Sequence, residues 1–162
     1  MTLVAVIADT HLPRGGRRLP DECVSVLASA ELIVHAGDVT SAAALDELRS
    51  FAPVEAVRGN VDDAELQAAL PERRVVEVDG ARLGVVHDPG RREGRHERLV
   101  GWFPGCDAVV YGHTHLPELA RQGATWILNP GSPTERRRAP HRSLILLEVA
   151  AGSLRPRLVE LP

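Results

Sequence analysis

Short hydrophobic runs recur along the front half of the chain, and each one stops on a polar residue. Leu3–Ala8 is rich in Val and Ile and ends at Asp9. Leu32–Ala36 ends at Gly37-Asp38, and Pro53–Arg58 leads into Gly59-Asn60. Runs of this length, bounded by Gly, Pro or Asp, read as buried strands. Amphipathic pieces lie between them. Residues 21–30 predict a helix with Val24, Leu27 and Ala28 inward. Ser41 can cap a second helix over 42–50, with Leu45 and Leu48 inward. A short helix around 63–69 ends at Pro71.

The back half changes character. Arg73–Val78 and Arg82–His87 flank Asp79-Gly80, a strong hairpin signal. A loop through 88–94 leads to a helix at 95–101. Ala108–Tyr111, Thr125–Leu128, Leu144–Val149 and Arg157–Leu161 read as strands, and Gly152 marks the turn before the last. The front is therefore β-α-β-α-β and the back mostly β. That pattern predicts an α/β fold of two packed sheets with helices on the outer faces.

Composition narrows the class. The chain has 162 residues, 44% apolar and 25% charged, which suits one globular domain over 1–162 and excludes general disorder. A net charge of −3 gives no global attraction to nucleic acid or to acidic membranes. Aromatic residues are only 3%, so no basic, aromatic stripe for a long polynucleotide is evident. Every basic side chain other than histidine is arginine, so any cation that meets an anionic ligand is a planar guanidinium. The basic run 135–142 (ERRRAPHR) reads as a solvated loop. Cys23 and Cys106 lack CxxC spacing and read as reduced thiols. The first apolar run, broken by Asp9, is too short for a signal-peptide core or a membrane span, so a cytoplasmic location is expected.

The polar residues recur at one kind of place. Asp9, Thr10 and His11 follow the first strand, Asp38 the second and Asn60 the third. His87 follows LGVV, and His113 and His115 follow AVVYG. Ligands of α/β sheets bind at the carboxyl ends of the strands. In an extended GHTH segment, positions i and i+2 would point to the same side, so both imidazoles could enter one site and Thr114 would point away. His35, inside a buried strand, reads as a core residue supporting the site. Asp88 reads as the start of a turn, and His96 and His141 as solvated surface residues.

These blocks, DTH (9–11), GDVT (37–40), GNVD (59–62) and GHTH (112–115), with His87 between the last two, resemble the calcineurin-like metallophosphoesterase signature. They are most similar to its small bacterial and archaeal phosphodiesterase subfamily. The resemblance implies a four-layer α/β/β/α sandwich and two divalent metal ions, manganese first, with Fe, Ni, Zn or Co also admitted by the N/O donors. It implies Asp9, His11, Asp38 and His115 around one ion, and Asp38, Asn60, His87 and His113 around the other, with Asp38 bridging. It further implies two-metal hydrolysis of a small phosphate diester by a metal-bridging hydroxide, with weak monoesterase activity. Asp38, Asn60 and His113 would stand closest to the chemistry, and Arg14 and Arg58 are candidate substrate contacts. No long nucleic acid or membrane is expected as a partner, and a homo-oligomer would be unsurprising. GNVD departs from many relatives, since Val61 stands where they carry a histidine and can neither donate a proton nor bond a phosphoryl oxygen. The alternative is a non-catalytic protein-binding scaffold on this fold, like the metallophosphoesterase-like subunit of the retromer complex. Loss of ligands would mark that case, and all seven candidates are present.

Overall fold

The computed structural model describes residues 1–162. Alternation along the strands explains the layering. In β1 (Thr2–Ile7), Val4, Ala5, Val6 and Ile7 are all fully buried. Successive side chains of a strand point to opposite faces, so a strand buried on both sides lies between two cores. Ala5 and Ile7 pack with Leu27, Leu45, Leu48 and Leu66, contributed by helices α1 (Asp21–Ser29), α2 (Ala42–Arg49) and α3 (Ala64–Ala69). Val4 and Val6 instead pack with Leu83, Val85 and Val110 of a second sheet. Within that sheet the division repeats. Ala108 and Val110 of β6 (Ala108–Tyr111) face the first sheet. Val109 and Tyr111 face Leu99 and Phe103, at helix α4 (Arg95–Trp102). The result is the expected α/β/β/α order of layers. Truncating a fully buried leucine such as Leu27 or Leu48 to alanine would cost about 2–5 kcal/mol.

The first sheet has the order β10-β9-β1-β2-β3, with β2 (Leu32–His35), β3 (Val54–Ala56), β9 (Arg142–Ala150) and β10 (Ser153–Leu161). The second has the order β4-β5-β6-β8-β7, with β4 (Arg73–Val78), β5 (Ala81–Val86), β7 (Glu118–Gln122) and β8 (Thr125–Asn129). β1, β2 and β3 run parallel, as do β5, β6 and β8, while β9, β4 and β7 pair antiparallel with these sets and β10 pairs antiparallel with β9. Helices α1, α2 and α4 make the crossovers within the parallel pairs β1/β2, β2/β3 and β5/β6, whereas the chain passes from β6 to β8 through β7. Register pairs Ile7 with His35 and His35 with Ala56. Asp9, Asp38 and Asn60 therefore leave the first sheet at one level. Val86 pairs with Tyr111, which sets the loops carrying His87 and His113 side by side.

Ser41 caps α2 as expected, its Oγ accepting from the Ala44 N–H at 3.2 Å. Three expectations are corrected. Ala28 is exposed, and the inward face of α1 is built on Cys23 and Leu27. β7 adds a strand that the hydrophobic pattern does not predict, because an edge strand with half-exposed alternation (ELARQ) offers too little signal. β10 begins at Ser153 rather than Arg157. It includes Pro156, which an outermost strand tolerates because one row of its N–H groups has no partner. No helix is long and apolar enough to cross a membrane.

Candidate metal centre

Each loop at the strand ends is fixed by backbone bonds to its neighbour. The N–H groups of Asp9, His11 and Leu12 donate to the carbonyls of Gly37, Asp38 and Val39 at 3.0–3.1 Å, extending the β1/β2 pairing past the sheet. Asp62 then ties the second loop to the third. Its Oδ1 accepts from the Thr40 N–H and its Oδ2 from the Gly59 N–H, both at 2.7 Å. Asp62 thus has a structural task that does not need a histidine at position 61. The Val61 N–H donates to Asp38 Oδ1 at 3.0 Å, so position 61 positions the site through its backbone.

Within this frame the polar atoms converge. His11 Nε2 lies 3.4 Å from Asp38 Oδ2 and 3.9 Å from Asp9 Oδ1. His87 Nε2 lies 3.1 Å from Asp38 Oδ2, 3.9 Å from Asp9 Oδ1 and 3.0 Å from Asn60 Oδ1. His115 Nε2 lies 3.5 Å from Asp9 Oδ1. Two clusters with metal-ligand spacing result, Asp9/His11/His115 and Asp9/Asp38/His87, all buried. His113 stands at the exposed rim with Nδ1 3.3 Å from Asn60 Oδ1. Asp9 Oδ1 and His11 Nε2 are buried and have no hydrogen-bond partner. Orphaned buried polar atoms of this kind are costly unless an ion or water completes them. The donor set fits a divalent cation.

The outward nitrogens are also held. His87 Nδ1 donates to the Ala36 carbonyl at 2.7 Å and His115 Nδ1 to the Glu135 carbonyl at 3.0 Å, which leaves each Nε2 for the centre. His11 Nδ1 faces Glu135 Oε2 at 3.7 Å. Glu135 is held in turn by Arg17 Nη2 at 3.1 Å and Arg137 Nε at 3.6 Å. Ser132 Oγ, buried, donates to the Asp9 carbonyl at 2.8 Å and accepts from the Glu135 N–H at 3.0 Å. Neither Glu135 nor Ser132 carries a signal in the sequence. The run 135–142 is corrected at its first residue, which turns inward against two histidines.

Electrostatics follow from this crowding. Burial acts against charge on His11, but the facing Asp38 and Asp9 carboxylates outweigh it and push the imidazole up to about 9. His87 is raised by the same contest between burial and carboxylates. Burial would raise Asp38, yet His11 and His87 hold it far below the usual carboxylate range. Burial lowers His115. His35 is fully buried and pushed down to about 3, by burial first and by His87 next. Its Nδ1 accepts from the Gly37 N–H at 3.1 Å, which leaves Nε2 to donate to Thr10 Oγ1 at 3.0 Å. It is a neutral buttress under the loops, as expected.

The GHTH segment reaches the centre by another route than the expected pleat. His113 and His115 have φ of 70° and 59°, so the chain curls through the left-handed region, which sends the His115 ring into a buried cluster and leaves the His113 ring at the rim beside Asn60. Asp9, His11 and Asp38 share that conformation at 55°, 48° and 62°. Left-handed backbone at non-glycine residues costs energy and gathers at functional sites. Thr114 points away, as expected, with Oγ1 accepting from Asn129 Nδ2 at 2.9 Å. Asp88 Oδ1 accepts from the Gly90 N–H at 2.8 Å, which makes it a turn residue. Arg58 lines a cleft of about 370 Å³ with Asn60 and His87, its Nη1 donating to the Leu70 carbonyl at 3.2 Å. Arg14 is exposed on a 3-10 turn (Arg14–Gly16) and does not line that cleft. His96 is corrected: it is half-buried and pairs with Glu118 at 3.1 Å. His141 is exposed, as expected.

Comparison with known proteins agrees with the donor set. A family model described as the calcineurin-like phosphoesterase superfamily domain matches residues 1–152. A probable metallophosphoesterase of Methanothermobacter thermautotrophicus is 38% identical over 134 residues, 82% of this chain and 77% of the relative. Another, of Methanocaldococcus jannaschii, is 37% identical over 150 residues, 91% of this chain and 76% of the relative. Among solved structures, wild-type Vps29 of Entamoeba histolytica complexed with Zn²⁺ is similar at a TM-score of 0.77 and 26% identity, with 98% of each chain covered.

Proposed function

The chain belongs to the calcineurin-like phosphoesterase superfamily, and from that premise we propose a phosphodiesterase that works with two divalent cations. The observation that carries this reading is the pair of buried clusters meeting at Asp9 Oδ1, itself without a hydrogen-bond partner. Asp9, His11, Asp38 and His115 would hold one cation, and Asp38, Asn60, His87 and His113 the other. Asp38 Oδ2 faces both His11 Nε2 and His87 Nε2, so Asp38 would belong to both donor sets. When bound, the cations supply Lewis-acid polarisation of the phosphoryl oxygens and a water of lowered pKa.

The chain's own residues do the rest. Two carboxylates leave a site of this size electropositive against two divalent charges, which an anionic ester requires. Asn60 adds an oxygen donor without adding charge. His113, exposed at the rim beside Asn60, meets the incoming ester first. Val61 presents no proton donor to the leaving group, so aryl esters should outrun alkyl esters. Diesters are preferred over monoesters, manganese is the first metal to try, and the buried free thiols Cys23 and Cys106 suit the cytoplasm.

Metal-free protein reloaded with Mn, Fe, Ni, Zn or Co should hydrolyse bis-aryl phosphates faster than mono-aryl phosphates. Asp38→Asn should lose bound metal and turnover together. Wild-type turnover in that variant would sink the two-cation assignment. The likeness to Vps29 supports a second reading, a protein-binding scaffold. No turnover with any ion would favour it.

A further inference from the structure

Next to the metal centre the surface opens into a cleft of about 630 Å³. Thr114, set between His113 and His115, forms part of its wall. Four arginines line the cleft, Arg92 and Arg95 from one side of the chain and Arg137 and Arg138 from the other. One carboxylate, Glu118, faces them. The chain as a whole carries a net charge of −3, so this concentration of positive charge is local. Glu118 is already engaged, accepting from Tyr111 Oη at 2.8 Å and pairing with His96 at 3.1 Å. It is poorly placed to neutralise four guanidinium groups.

The arginines are organised rather than loose. Arg95 stacks 5.6 Å from the Tyr111 ring centroid, donates to the Gly90 carbonyl at 3.0 Å, and has a buried Nε without a partner. Arg137 Nε reaches Glu135, the residue that faces His11. One side chain therefore touches both the cleft and the support of the metal centre. Arg92 and Arg138 are exposed and form no ion pair, which leaves two planar donor forks open to solvent. Guanidinium forks match the oxygens of phosphate, and like charges held together are relieved by a multiply charged anion.

A simple phosphate diester has one negative charge, and the metal centre would use it. We propose that the cleft is a second anion subsite, and that the substrate is a small phosphodiester carrying a further phosphate group. This rests on the phosphodiesterase reading above. The scissile phosphoryl group would sit at the metal centre while the second phosphate reaches past Thr114 to Arg92, Arg95 and Arg138. Attraction of this kind weakens with added salt.

Two probes isolate the second phosphate: the p-nitrophenyl ester of thymidine 5′-phosphate, and the same ester with a 3′-phosphate. Metal-loaded protein should favour the second by about tenfold in kcat/KM, the scale of a charge-assisted hydrogen bond. The double variant Arg92→Gln with Arg138→Gln should bring that ratio close to one. In a separate titration, thymidine 3′,5′-bisphosphate should bind metal-free wild-type protein about tenfold more tightly than the double variant. Equal hydrolysis of both esters by the wild type would overturn the subsite and leave the phosphoesterase reading standing. If no ester is turned over with any metal, that reading fails, and the titration still decides the cleft. Absent binding, or equal binding by the variant, would overturn the subsite. Tighter competition by an oligothymidylate than by the bisphosphate would overturn the assignment to a small molecule.

Discussion

Replacing Gly59 with alanine tests how closely the loops after β2 and β3 must approach. A Cβ at position 59 would lie 2.7 Å from Asp38 Cγ, with Asp38 Oδ1 and the Asp38 backbone nitrogen nearer still. Carbon atoms in contact prefer about 3.5–4.0 Å, so the two loops must part by roughly 1 Å. Backbone cannot swing aside as a flexible side chain can. Overpacking of this kind costs about 1–3 kcal/mol, and stretching the bond from the Val61 N–H to Asp38 adds about 1 kcal/mol. For a chain of this length, a total near 3 kcal/mol lowers Tm by roughly 6–12 °C. The same displacement carries Asn60 away from His87, and misplacement by about 1 Å can cost about 100-fold in rate. Gly101, in α4, is the control, because a Cβ added there would meet nothing within 4 Å. Gly101→Ala should raise stability by a few tenths to about 1 kcal/mol. Thermal scans, metal analysis of the purified protein and turnover of a bis-aryl phosphate read all three effects. A Gly59→Ala protein that melts within about 2 °C of wild type, with full metal content and turnover, would refute the reasoning.

Two further outcomes follow from the packing around the centre. Glu135→Gln removes the carboxylate facing His11 Nδ1 while keeping its shape, and should weaken metal binding about 10–100-fold with little change in Tm of the metal-free protein; a titration with unchanged affinity would exclude Glu135 as support for His11. Burial pushes the Cys23 thiol up from about 9 to about 12, so the folded chain holds this proton more tightly than the unfolded one. That stability is fully present below pH 9 and is lost as pH rises toward 12. Tyr111, also pushed up to about 12, adds to the loss above pH 10. Urea unfolding at pH 8 and pH 10 should differ by about 1 kcal/mol from Cys23 alone, and Cys23→Ala should remove that difference. An equal slope in both proteins would contradict it.

The candidate ligand positions were legible because each combined two independent signals, a hydrophobic run and a polar residue at its end. Asp9, Asp38 and Asn60 needed only the parallel register to meet, and alternating β and α segments announced that register. What the sequence hid was long-range or conformational. Glu135 looks like one more charge in a charged run, and only its contact with His11, far away in the chain, gives it a task. β7 has the weak alternation of an outer strand, and nothing in ELARQ distinguishes it from a loop. GHTH displays the right residues but suggests the wrong geometry, since left-handed φ values at His113 and His115 cannot be read from composition. Asp62 has no visible partner in its motif because its partners are backbone N–H groups, which no motif displays.

The candidate ligands divide between the layers. Asp9, His11, Asp38 and Asn60 follow strands of the first sheet, and His87, His113 and His115 follow strands of the second. Each sheet by itself holds an incomplete claw. A cation held by both halves would also be a rivet through the sandwich, fastening two layers that otherwise meet mainly through greasy contacts such as Val6 and Val110. That grip would therefore depend on how squarely one layer lies upon the other. A slight slide or twist of the sandwich, with no residue at the centre altered, would change the bite on the metal before it changed anything else.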